Sequence, residues 1–204
     1  MKGFLISFEG IDGSGKSTQA RKLYKFLKEE GYEVSLYRDP GSTPLAEQIR
    51  EAIINHTMDP ITELLLFESA RSSLVWEKIF PDLSSGKIVI VDRFIDSTTA
   101  YQGYGREINL GTVSILNHIA TRGRKPDLTF ILNLPLELAL QRLKEQKTKF
   151  EEPNYLKRVR DGYLQIFYSE KERDIRLIDA SRSEEEVFEE IKAITLERLK
   201  VFIK

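Results

Sequence analysis

Apolar residues fall along this chain in short runs that alternate with longer amphipathic stretches. Five runs read as strands: Phe4 to Phe8, Glu33 to Tyr37, Ile88 to Val91, Leu128 to Leu134 and Ile175 to Ile178. Ile88-Val89-Ile90-Val91 is an unbroken β-branched block, the pattern of a central strand buried on both faces. Between the runs the period lengthens to that of a helix. One helix is expected from about Ser17 to Glu30, closed by Gly31, since glycine accepts the left-handed conformation that ends a helix. Thr43-Pro44 and Asp59-Pro60 each pair a capping oxygen with a proline at the first helical position, and Glu152-Pro153-Asn154 opens a further helix. That last helix carries Tyr155, Val159, Tyr163 and Phe167, an apolar stripe with a step of four residues. The alternation predicts an α/β fold in three layers, a five-stranded parallel sheet with helices on both faces.

Composition narrows the function. A length of 204 residues suits one domain over 1–204, and 41% hydrophobic residues can build its core. The net charge of −1 lacks the basic excess of a nucleic-acid binder. No cysteine is present, which removes disulfides, thiolate metal sites and a cysteine nucleophile. His56 and His118 stand far apart and suggest no histidine metal site. No run approaches the ~18 apolar residues of a membrane span. Phe4-Leu5-Ile6 is followed at once by Glu9 and a glycine-rich turn, unlike a signal peptide. A cytoplasmic protein with neither a membrane nor a nucleic-acid partner is expected.

The chemistry is concentrated after the first strand. Gly10-Ile11-Asp12-Gly13-Ser14-Gly15-Lys16-Ser17 matches GxxxxGK[ST] between a strand and a helix, the context this phosphate-binding loop requires. Its glycines let backbone N–H groups converge on phosphate oxygens at the positive end of the helix, with Ser14 and Thr18 beside them. Lys16 is expected to bridge the β- and γ-phosphates of a nucleotide, and the Ser17 hydroxyl to ligate Mg²⁺. Asp92 ends the β-branched strand and suits a second Mg²⁺ contact, direct or through water. Considered alone, an aspartate at a strand tip is usually just solvated; the neighbouring loop favours the metal reading.

Several further strings resemble thymidylate kinases across nearly the whole chain. Phe8-Glu9-Gly10-Ile11-Asp12-Gly13 is similar to the family's first strand and loop, and Arg38-Asp39-Pro40-Gly41-Ser42-Thr43 to its RxPGGT signature. Phe67-Glu68-Ser69-Ala70-Arg71 matches an FxxxR motif. Asp92-Arg93-Phe94-Ile95-Asp96-Ser97-Thr98-Thr99-Ala100-Tyr101-Gln102-Gly103 matches DRxxxSxxAYQG, the most specific of the set. Arg124-Lys125-Pro126-Asp127-Leu128-Thr129 resembles the RPDLT segment. Asp39 and Ser42 stand where the family mostly has Glu and Gly.

The resemblance implies a P-loop kinase fold with a short lid, Mg²⁺-dependent transfer of a phosphoryl group from ATP to dTMP, and a homodimer. It implies that Arg38 and Arg93 grip the acceptor phosphate, that Phe67 stacks on thymine, and that Arg71 reaches a thymine carbonyl. By the same resemblance Ser97, Thr98 and Gln102 are expected around the thymine N3 edge and phosphate, Tyr101 against the sugar's 2′ carbon, and Asp12 near the acceptor's 3′-hydroxyl. The lid is expected at about 141–153, where Arg142, Lys144, Lys147 and Lys149 outnumber Glu145. Lys149 stands where the family has a lid arginine and is the first choice for a catalytic cation, with Arg142, an expected ATP contact, second. A kinase for another nucleotide or for shikimate is the nearest rival. A GTP-binding switch is a second, although no NKxD string occurs. A nucleotide-binding module that has lost catalysis is a third. The helix expected over Pro60–Phe80, with Leu65, Leu74 and Trp76, offers an apolar face to a second copy.

Overall fold

The computed structural model describes residues 3–145 and 152–202. Its centre is a parallel sheet of five strands: β1 (Phe4–Glu9), β2 (Val34–Arg38), β3 (Ile88–Asp92), β4 (Leu128–Asn133) and β5 (Ile175–Asp179). The spatial order is β2-β3-β1-β4-β5. All five expected strands are present. β1 and β3 each run one residue past their apolar stretch, because the ladder continues through Phe8 opposite Asp92 and Glu9 opposite Ile131. Those two acidic residues therefore end up on rigid strand tips at the carboxyl edge of the sheet. In open α/β sheets that edge is where ligands bind.

Strand alternation separates two cores. Ile6, Phe8, Ile88 and Ile90 join the larger cluster with Leu23 and Leu27 of α1 (Lys16–Glu29) and Ile191 and Leu199 of α9 (Glu184–Phe202). Leu5, Val89 and Val91 join the smaller one with Leu74, Val75, Ile79 and Leu83. Leu74 closes α3 (Pro60–Leu74), which passes through a π-helical turn, Val75–Ile79, into α4 (Phe80–Ser84). Leu74 is thus core, not part of an outward face as the sequence suggested. Leu65 and Trp76 are exposed as expected.

The caps follow the sequence. Thr43 Oγ1 accepts from Ala46 N at 3.1 Å to start α2 (Pro44–Asn55), and Asp59 accepts from Ile61 N and Thr62 N to start α3. Each cap satisfies N–H groups that the helix itself leaves bare. The DRxxxSxxAYQG string forms a short α5 (Ile95–Thr98) and a π-helical turn, Thr99–Gly105, before α6 (Leu110–Thr121). The π turn lies outside anything that periodicity reveals. α7 (Leu136–Glu145) and α8 (Pro153–Ser169) flank the expected lid, of which residues 146–151 lie outside the described residues.

α8 buries Tyr155, Val159 and Tyr163 and leaves Phe167 partly covered, so the expected stripe is real. It approaches the π turn closely because Gly162 faces Tyr104. A Cβ on Gly162 would lie 2.7 Å from that of Tyr104. Gly162→Ala is expected to force the two elements apart at a cost of about 1–3 kcal/mol. Urea unfolding measures this, and an unchanged midpoint would contradict the close approach.

Candidate active site

The loop from Gly10 to Ser17 joins β1 to α1. Gly10 has φ 141°, and a Cβ there would meet Leu132 O at 2.7 Å, so the loop tolerates only glycine at its start. Gly15, at φ 88°, precedes the first turn of α1, and no side chain caps that helix. The contrast with Thr43 and Asp59 is informative. α1 keeps its bare N–H groups and its positive end for an anion. Gly13, Ser14, Gly15, Lys16, Ser17 and Thr18 line a cavity of about 810 Å³ that Asp12 and Arg142 also border. Arg142 donates from Nη1 to Gly13 O at 3.2 Å and from Nη2 to Ala180 O at 3.3 Å, which ties α7 to the loop.

Lys16 is buried, with Nζ 3.3 Å from Asp12 Oδ1. Burial, then Arg93, lowers its pKa, while Asp12 and Asp92 counteract. Asp92 Oδ1 is buried and has no hydrogen-bond partner. Among the described residues no group of three or more histidine or carboxylate side chains is placed to hold a metal. Ser17 and Asp92 on their own suit a Mg²⁺ that takes most of its ligands from phosphate and water.

A second cavity, also about 810 Å³, lies beyond Asp12. Of the residues expected at the acceptor, Asp12, Phe67, Arg71, Arg93, Ser97, Thr98, Tyr101 and Gln102 all line it. Phe67 belongs to neither core cluster and is partly exposed, so its ring is free to meet a ligand.

Arg93 lines the second cavity and bonds to Asp12, which borders both. Its backbone takes φ 70°, an uncommon conformation outside glycine, secured by its N–H donating to Phe8 O at 2.9 Å. Its Nη2 donates to Asp12 Oδ1 at 2.6 Å and Tyr101 Oη at 3.1 Å, its Nη1 to Ser97 Oγ at 3.1 Å, and the guanidinium lies over the Tyr101 ring. Burial works against ionisation of Asp12, but Arg93 and Lys16 outweigh it and hold the carboxyl well below the usual range. Beneath lies Glu9, fully buried, accepting from Phe94 N at 2.8 Å and Ser97 Oγ at 2.6 Å. Burial first, and Asp96 second, push its pKa up to about 8.

Two expected residues are placed differently from the simple reading. Arg38 lines neither cavity; its Nη2 donates to both oxygens of Glu47, at 3.0 and 2.9 Å. Arg50 lines both cavities instead. Its place one turn after Glu47, on the helix that Thr43 caps, is the sequence signal for it. Arg71 forms the cavity floor, and its N–H groups go to Asp39, Glu68, Asn117, Phe94 O and Thr98. A bond from Arg71 to a base would be shared with one of these. Glu63 and Arg106 also line the second cavity and went unnoticed in the sequence. Lys149 lies outside the described residues.

A phosphate-binding loop opening onto a second, arginine-lined cavity defines a P-loop phosphotransferase that joins two phosphate-bearing ligands. The family model described as thymidylate kinase matches residues 8–191. Thymidylate kinase from Caldanaerobacter subterraneus subsp. tengcongensis is 46% identical, covering 88% of each chain, and that from Geotalea uraniireducens 41% identical, covering 97% of this chain and 98% of the relative. The crystal structure of thymidylate kinase from Ehrlichia chaffeensis aligns with a TM-score of 0.80 at 35% identity, over 96% of this chain and 99% of the other. The chain belongs to the thymidylate kinase family.

Glu9 makes stability depend on pH. Its raised pKa means that the folded protein holds this proton more tightly than the unfolded chain does. The contribution is complete below the ordinary carboxylate value and is lost as pH rises through about 8. Urea unfolding of wild type and Glu9→Gln between about pH 5 and pH 8 should show the difference moving in the variant's favour as pH rises. A constant difference would mean that Glu9 is ionised throughout.

Proposed function

We infer that this chain is a thymidylate kinase, transferring the γ-phosphoryl group of ATP to dTMP to give dTDP and ADP in dTTP synthesis. The observation that carries the reading is the meeting of the two cavities at Asp12 and Arg50, with Arg93 on the acceptor side. In this reading the loop with Lys16 holds the donor phosphates, and Phe67, Ser97, Thr98, Tyr101 and Gln102 enclose the nucleoside of dTMP. Arg93 and Arg50 take the acceptor phosphate, with Arg38 able to join only by leaving Glu47.

The acceptor oxygen is already anionic near neutral pH, its second pKa being about 6. The protein must therefore align and neutralise rather than deprotonate. Asp12 positions Arg93 and Lys16, and its own lowered pKa makes it a poor base. Ser17 and Asp92 would hold Mg²⁺, which supplies Lewis-acid charge to the transferring group when bound. Lys149, aided by Arg142, brings further positive charge when the lid closes and water is excluded.

A homodimer is the assembly we propose. Ile61 and Leu65 of α3, Trp76, and Ile115 and Ile119 of α6 are exposed on helices that pack together. Exposed apolar side chains on neighbouring helices suit burial against a second copy.

A coupled ADP-release assay across dTMP, dUMP, UMP, CMP, AMP and GMP tests the function. dTMP should turn over best, dUMP more weakly and ribonucleotides very weakly. Faster turnover on CMP or AMP than on dTMP would sink the reading.

The lid cation has its own test. Gly13 brings no side-chain charge to the phosphate loop, and we propose that the lid adds it. Lys149→Ala should lower kcat roughly 10- to 100-fold, below the full effect of a fixed arginine because neighbouring cations share the load. KM for dTMP should change little, since the contact forms on closure. Unchanged kcat in Lys149→Ala, in Arg142→Ala and in the double variant would make this basic run a solvated surface.

A further inference from the structure

One face of α3 presents Glu63, Phe67 and Arg71 at steps of four residues, all lining the acceptor cavity. Glu63 belongs to no substrate motif, yet it is fixed at two points. Gln102 Nε2 donates to its Oε1 at 2.9 Å. Arg106 donates from Nη2 to its Oε2 at 3.0 Å and from Nε to its Oε1 at 3.3 Å. Arg106 in turn lies over the Tyr155 ring, 4.5 Å from its centroid, which anchors the guanidinium to α8.

We propose that Glu63 is a positioning residue that fixes which way round the Gln102 amide faces the base, and so sets the enzyme's preference for an imide over a cytosine-type edge. This rests on the reading of the second cavity as the pyrimidine site. An amide has a donor end and an acceptor end, and a carboxylate only accepts. Opposite Glu63, Gln102 has one possible orientation, with its NH₂ group toward the carboxylate. Its Oε1 is then turned away from Glu63. The second Nε2 proton accompanies it. Gln102 is almost fully buried, so water competes poorly for these groups.

An acceptor beside a donor matches the N3–H and adjacent carbonyl of thymine or uracil. Cytosine has an unprotonated N3, an acceptor, at the same place. Two acceptors would then face each other in a buried site, where an unmade hydrogen bond is costly. Sites built this way discriminate far more strongly than shape alone.

Arg106 makes the consequence of Glu63→Gln directional. Arginine has no acceptor, so it selects the oxygen of the new amide and leaves its NH₂ facing Gln102. Gln102 then turns over to offer its oxygen to residue 63, presenting NH₂ to the base. That arrangement suits an unprotonated N3 and opposes N3–H.

Steady-state kcat/KM for dTMP and for 5-methyl-dCMP, which keeps the methyl and sugar but changes the base edge, decides the matter. In Glu63→Gln the value for dTMP should fall about tenfold or more while that for 5-methyl-dCMP holds or rises, a narrowing of their ratio on the order of 10- to 100-fold. The loss for dTMP should lie in KM more than in kcat. In a Gln102→Met background, Glu63→Gln should leave the ratio unchanged. Should Glu63→Gln unfold, Glu63→Asp keeps the charge, draws it back from Gln102, and should narrow the ratio in the same direction by less. Equal losses on both substrates would overturn the proposal and reduce Glu63 to a structural role. So would a narrowing that persists without Gln102. A wild type showing no preference for dTMP over 5-methyl-dCMP would instead bring down the pyrimidine-site reading beneath it.

Discussion

Arg93 is the fixed point on which the cleft depends. A guanidinium with so little exposure needs acceptors, and it draws them from every side: Asp12 from the phosphate loop, Ser97 from α5, Tyr101 from the π turn. Removing any one would leave part of a buried charge unsatisfied, which costs more than the bond itself contributes. The uncommon backbone angle at Arg93 follows from this, because the strand must stop at Asp92 and the next side chain must turn back over the loop. Strain held at a site by its surroundings is typical of catalytic positions. Glu9 completes the support from below through Ser97, which explains why a carboxyl occupies the end of a strand with no access to water.

The sheet was legible because parallel strands buried on both faces need unbroken apolar runs, and Ile88 to Val91 is such a run. The phosphate loop was legible because only glycines fit Gly10 and the turns after it. Caps at Thr43 and Asp59 were written in their prolines. What sequence reasoning did not reach shares one cause. The π turn over Tyr101 and Gln102 has no periodic signature, since its extra residue per turn is set by packing against α8 at Gly162. Arg50 and Glu63 matter because of what they face, and a motif describes what precedes and follows. Leu74 looked like a surface residue beside Trp76, yet the π turn between helix segments rotates one inward and the other outward.

Arg71 shows how a matched motif can underdescribe a residue. Its spacing from Phe67 suggested a group reaching for the base. In the fold it is also the buried cross-link between β2's end, through Asp39, and α5 and α6, through Thr98 and Asn117. The guanidinium spreads its N–H donors over five acceptors here, more than the three donors of a lysine could serve. The expected binding role and the architectural one fall on the same side chain.

Asp12 and Arg50 belong to the walls of both cavities. Two ligands that share a wall cannot bind independently. Their phosphates repel each other across the gap, while each one draws the shared cation and carboxylate into an arrangement that the other will meet. The sign of the net effect is decided by that contest, but its symmetry is not open to choice. Whatever factor the donor imposes on the acceptor's affinity, the acceptor must return to the donor. Ligands placed in the two cavities would thus be effectors of one another at contact range, through their own charges as well as through the wall they share.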